Sequence, residues 1–98
     1  MFHITIVCDG LSNSAGEEAA RDIAQDFAEH RTWHDYVACE WESSRLVLRA
    51  ENDFDDDGAA TLDEFSKCIS AHVAEPGNFV VAIQSVSETE DDNVLGAL

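Results

Sequence analysis

Between Asn52 and Phe65 the chain reads NDFDDDGAATLDEF, and this run gathers the residues best placed to do chemistry. Asp53, Asp55 and Asp57 occupy alternate positions, Gly58 follows, and Thr61 and Glu64 come after it. In a tight loop, alternate positions point inward together. The three carboxylates, the Ala59 carbonyl, the Thr61 hydroxyl and the Glu64 carboxylate can then offer a hard cation such as calcium the oxygens it requires. The same residues have a purely structural use. Thr61 followed by Glu64 is a capping box, in which hydroxyl and carboxylate satisfy free amides at the start of a helix. On that reading the run is a solvated acidic turn leading into a capped helix.

The spacing D-x-D-x-D-G-x5-E resembles the calcium loop of EF-hands. The resemblance puts Asp53, Asp55, Asp57, Ala59, Thr61 and Glu64 at the ligand positions, and the LDEF run is similar to the start of an EF-hand exit helix. Three features depart from the family. The preceding SRLVLRA alternates like a strand where the family has a helix. Ala60 stands where a branched apolar residue normally couples two loops, and the chain has no second loop. The expectation is therefore no resident cofactor, with a lone calcium site on these six residues as the alternative.

Enzyme signatures are weak. Cys8 closes an apolar strand ahead of a helix, a place where a thiol can be activated, but the residue six further on is Ser14, not the Arg of a phosphate-binding C-x5-R loop. The glycines of CDGLSNSAG form neither G-x-G-x-x-G nor a P-loop. His30 and His34 straddle a predicted helix end, so they need not share a face. His3, His30, His34 and His72 read as surface or partly buried polar groups. Cys8, Cys39 and Cys68 are odd in number and lack a C-x-x-C pair, so they read as small buried apolar residues rather than a disulfide or zinc framework. No catalytic residue is assigned, and the chain is expected not to be an enzyme.

Charge is the dominant global feature. Twenty-one acidic residues stand against five basic ones in 98 residues, a formal charge of −16, and Lys67 is the sole lysine. Such a field repels nucleic acid and anionic membranes and attracts basic proteins and cations. It also suits a high-salt setting. The chain has no apolar stretch of about 18 residues to span a membrane and no signal-peptide pattern at its start, so a cytoplasmic location is expected.

The elements that must position these groups follow from periodicity. FHITIVC alternates as a strand with Phe2, Ile4, Ile6 and Cys8 on one face. SAGEEAARDIAQDFAEHR carries Ala20, Ile23 and Phe27 at helical spacing, with Ser14 and Glu17 as a capping box. WHDYVACEWE and RLVLRAE alternate as two more strands, joined by Ser43 and Ser44 in a hairpin. LDEFSKCISAHV has an apolar stripe of Leu62, Phe65, Ile69 and Val73 and is expected to stop near Pro76 and Gly77. FVVAIQSV is the last strand, with Phe79, Val81 and Ile83 sharing a face.

The order β-α-β-β-α-β resembles the ferredoxin-like fold over residues 1–87: an α+β domain with a four-stranded antiparallel sheet and two helices on one face. Residues 88–98 read as an acidic flexible tail. The open face would carry Arg45, Arg49 and Tyr36, too little positive charge for nucleic-acid binding.

A protein-binding role remains. In size and charge the chain is similar to small nuclease inhibitors, toxin immunity proteins and anti-CRISPR proteins. That resemblance implies a non-enzymatic acidic inhibitor, or DNA mimic, that blocks a basic nucleic-acid-binding protein such as a nuclease or CRISPR effector. Its expected contacts are Asp53, Asp55, Asp56 and Asp57 on the loop, and Asp22, Asp26 and Glu29 on the first helix. The alternatives are the calcium-binding domain and a ferredoxin-like homodimer pairing through its open sheet face.

Overall fold

The structure, a computed structural model, describes residues 1–73 and 79–89. Its elements are β1 (Phe2–Asp9), α1 (Asn13–His30), β2 (Tyr36–Glu42), β3 (Arg45–Asn52), α2 (Ala59–His72) and β4 (Val80–Glu88). All pairings are antiparallel, in the order β2-β3-β1-β4, which is the ferredoxin-like arrangement read from the periodicities.

Register puts every second residue of the central strands against the helices. Ile4 lies opposite Ala50, Ile6 opposite Leu48, and Cys8 opposite Leu46. These residues share one buried cluster with Ala19, Ala20, Ile23 and Phe27 of α1 and Phe65, Cys68 and Ile69 of α2. Both helices therefore cover the same face. Fully burying side chains of this size contributes about 1.5–3 kcal/mol each, so this layer holds the fold together. The three cysteines lie inside it, buried and unpaired.

Local chemistry sets the connections. Ser43 and Ser44 both adopt left-handed backbone, φ 52° and 63°, as a two-residue hairpin with a type I′ turn requires. Helix α1 begins earlier than its capping-box pattern indicated. Ser12, not Ser14, is the cap: its Oγ accepts the Ala15 N–H at 3.3 Å and its carbonyl accepts the Gly16 N–H at 2.8 Å. Leu11, packed against the core just before it, anchors the chain's approach and sets that register. At Gly16 the helix lies directly on the Trp41 indole of β2, where any Cβ would collide with the ring.

The open sheet face is better covered than its sequence implied. Val7 and Val47, opposite one another, are buried. Arg45 makes a two-pronged contact with Asp9 at 3.0 and 2.7 Å, and Arg49 does the same with Glu42 at 2.9 and 3.1 Å while also reaching Glu40.

Strand β4 is the less protected edge. A bulge between the pairs Thr5–Ser85 and Ile6–Ile83 leaves Gln84 unmatched, and no β4 residue is fully buried. The strand runs past Gly-free SVSE to Glu88, and Thr89 then donates its N–H to the Met1 carbonyl at 2.9 Å. Glu88 is thus the last residue of β4, and Thr89 is tied to Met1 beside it. The rest of the expected tail, and the helix stop at Pro76 and Gly77, lie outside the described residues. Among the described residues no helix is long and apolar enough to cross a membrane.

Candidate functional site

The acidic run forms a tight turn between β3 and α2, and its first residue organises it. Asn52, fully buried at the end of β3, accepts the N–H groups of Phe54 and Asp55 on Oδ1 at 3.2 and 2.9 Å. This is a side chain imitating a backbone turn. Gly58, left-handed at φ 78°, then precedes the helix.

Asp55 caps that helix from four residues before its first residue, Ala59. Its Oδ1 accepts the Ala60 N–H at 3.3 Å, and its Oδ2 accepts both the N–H and the hydroxyl of Thr61 at 2.8 and 2.6 Å. Asp57 Oδ1 accepts the Ala59 N–H at 2.9 Å. The helix amides that need partners are thereby satisfied. Burial pushes the Asp55 carboxyl up, but the Thr61 hydroxyl and the Thr61 and Ala60 amides outweigh it and hold it below the ordinary value. Thr61 is a donor inside the helix, so the expected Thr61–Glu64 capping box does not form.

Glu64 turns the other way. Its Oε1 lies 2.8 Å from His34 Nε2, and its Oε2 accepts the Trp33 indole N–H at 3.0 Å. The His34 side chain is entirely enclosed, and its Nδ1 lies 3.1 Å from Asn52 Nδ2. Because Asn52 Oδ1 is taken by backbone amides, Nδ2 must donate to Nδ1, and Nε2 must carry the proton given to Glu64. Trp33, Glu64, His34, Asn52 and Asp55 thus form one continuous polar line joining the loop after α1, the acidic turn and α2. The ring centroids of Phe27, Phe54 and Trp33 lie 5.6, 5.9 and 6.1 Å from that of His34.

Of the six residues at the calcium-loop positions, Asp55 and Thr61 meet each other while Glu64 turns away to His34 and Trp33. Asp55 is spent on α2, Glu64 on His34 and Trp33, and Thr61 donates rather than accepts. Among the described residues no three His, Cys, Asp or Glu side chains form a group able to hold a metal ion. As placed, the Glu64 carboxylate and the Thr61 hydroxyl are turned to partners within the fold. Of the four loop acids expected to meet a partner, Asp53, Asp56 and Asp57 are exposed, and Asp55 is buried and committed to the helix.

The three acids on α1 also divide. Asp22, Asp26 and Glu29 line one groove of about 380 Å³ with Gln25, His30 and His72. Asp26, however, is an internal hub. Oδ1 takes His30 Nδ1 at 3.1 Å and Arg31 Nη1 at 3.0 Å, and Oδ2 takes His72 Nε2 at 2.9 Å and the Cys68 thiol at 3.5 Å. The His72 bond, against opposing desolvation, leads in lowering its carboxyl to about 2, with His30, Cys68 and Arg31 adding to it. Asp26 ties α1 to α2 and is not a free contact. Glu29 is exposed and accepts Gln25 Nε2 at 2.9 Å, and Asp22 is half-buried.

Both His34 ring nitrogens are used inside the fold, which leaves none for a substrate proton. Burial pushes Cys39 up to about 12 and Cys8 and Cys68 up to about 11, far from a reactive thiolate. The Glu64–His34–Asn52 line was not visible in the sequence: its members lie 30 and 18 residues apart, and only the fold brings them together. Compared with known proteins, the chain matches no family model, no curated protein and no solved structure, so the functional reading rests on this geometry and on the charge of the chain.

Proposed function

We propose that the chain is a non-enzymatic, acidic binding protein that occupies the nucleic-acid-binding surface of a basic partner such as a nuclease or CRISPR effector. One observation carries this reading. Asp53, Asp56 and Asp57 project from a turn whose backbone is fixed by Asn52, Asp55 and Gly58, and among the described residues no Lys or Arg side chain faces them. Arg31, Arg45, Arg49 and Lys67 each pair with a carboxylate of the same chain. The excess negative charge is thus left largely on the surface, and exposed carboxylates offer Lys and Arg charged acceptors of the kind a phosphate backbone offers.

The paired arginines on the open sheet face support the same reading, because they leave no free cationic patch for nucleic acid. Three buried, unbridged thiols suit action in the cytoplasm. The test is salt-graded capture of a basic partner by the wild-type chain and by Asp53→Lys/Asp56→Lys/Asp57→Lys. Wild type should hold it at low salt and release it as salt rises, and the reversed variant should not hold it. Equal capture by both would remove the reading.

A further inference from the structure

Beside the exposed acids the fold sets two aromatic side chains partly in solvent. Trp33 is 51% exposed and Phe54 47% exposed, high values for large rings. Neither is loose. The Trp33 indole N–H is held by Glu64, which is held in turn by the enclosed His34, and both rings pack against the His34 imidazole. Asp53 and Asp56 flank Phe54 along the chain, and Asp35 follows Trp33 by two residues, fixed by its N–H on the Glu51 carbonyl at 2.7 Å; all three carboxylates are exposed.

An exposed tryptophan with its orientation fixed by a buried polar line has already lost the rotamer freedom that binding would otherwise cost. Trp is also the residue most enriched among interface anchors. The chemistry that meets this surface must satisfy ring faces and carboxylates together. A guanidinium does both, since it stacks on aromatic faces and forms paired hydrogen bonds with carboxylates; an ammonium is a compact, strongly hydrated point charge.

We infer that Trp33 and Phe54 are the anchor of the docking surface, and that they receive an arginine-bearing segment of the partner, with Asp53 and Asp35 closing on the same side chain. The inference rests on the acidic-binder reading and sharpens it: the charge attracts any basic surface, whereas the aromatic pair selects arginine over lysine.

The test uses the full chain and two probes, nona-arginine and nona-lysine peptides, titrated by calorimetry at 150 mM NaCl. Wild type should bind the arginine peptide about five- to tenfold more tightly than the lysine peptide. Trp33→Leu and Phe54→Leu should abolish most of that preference while changing lysine-peptide affinity less than about twofold. Trp33→Phe keeps a ring and loses the Glu64 bond, so it should retain part of the preference; circular dichroism confirms that each variant is folded. Equal affinity for both peptides, or a preference that survives Trp33→Leu/Phe54→Leu, overturns the inference and leaves the acidic-binder reading standing. Loss of all peptide binding in Asp53→Lys/Asp56→Lys/Asp57→Lys, with the arginine preference already absent in wild type, would show that charge alone is recognised. If wild type binds neither peptide at 20 mM NaCl, the inference and the acidic surface it rests on both fail.

Discussion

Asp55 shows how one carboxylate can look like a ligand and act as a fastener. It accepts three hydrogen bonds from the first turn of α2 while buried, so replacing it strands the two buried donors of Thr61. Asp55→Ala should cost about 2–3 kcal/mol in urea unfolding, and Thr61→Ala, which keeps the backbone donors paired, about 1 kcal/mol. Asp53→Ala, at an exposed carboxylate, should change stability by less than about 0.5 kcal/mol. If Asp55→Ala were as mild as Asp53→Ala, the capping role would be lost. The sequence pattern left the choice open because Thr-x-x-Glu and alternating Asp occur in both a calcium loop and a capped turn. What separates them is where Glu64 points, and that depends on His34, which lies far away in the chain.

Asp26 supplies the matching statement about pH. Its folded carboxyl titrates at about 2, below the ordinary 3.8. A depressed folded value means that its contribution is fully present above the ordinary value and is lost as pH falls from there through about 2. Asp26→Asn should therefore destabilise the protein by about 1–2 kcal/mol at neutral pH and flatten the stability profile between pH 4 and 2. Parallel profiles for wild type and variant across that window would contradict the hub role.

At the scale of elements, β1, β2, β3, both helices and β4 were all legible, because two-residue and helical periodicities follow directly from which faces are buried. Boundaries were less so. Trp33, His34 and Asp35 extend the alternation of β2, yet they lie in the loop because His34 turns inward to Glu64. The start of α1 moved to Ser12 because Leu11 is already packed. The contact between α1 and β2 yields a sharp expectation. Gly16→Ala would drive a methyl into the Trp41 indole and should cost about 1–3 kcal/mol, measured by thermal or urea unfolding. A neutral result would mean that α1 sits higher on the sheet. The hairpin yields the opposite sign: Ser43→Asn/Ser44→Gly, which favours left-handed backbone at both positions, should stabilise by about 0.5–1 kcal/mol.

Across the whole molecule, −16 on 98 residues means that the folded state works against its own field. Four of the five cations are already paired with local carboxylates, and among the described residues Asp35, Asp53, Asp56 and Asp57 are exposed. Added salt should raise the melting temperature between 10 and 300 mM NaCl, as the Debye length shrinks from about 30 Å to well under 10 Å. A fall in melting temperature over that range would mean that attractive pairs outweigh repulsion. The charge was fully legible in the sequence. What was not legible is its distribution: Asp55 and Asp26 are spent on the fold, Asp57 holds the Ala59 amide, and Asp53 and Asp56 stay exposed. Their separation depends on hydrogen bonds that only the folded chain makes.

The most direct measurement is competition. Immobilised wild-type protein is loaded with a nuclease-treated lysate at low salt, and the retained protein is challenged with a short DNA duplex. The expected result is that the duplex displaces a basic protein from the wild-type chain, and that Asp53→Lys/Asp56→Lys/Asp57→Lys retains none of it. A retained protein that DNA cannot displace, or one held equally by the charge-reversed chain, would contradict the claim that these carboxylates stand in for phosphates.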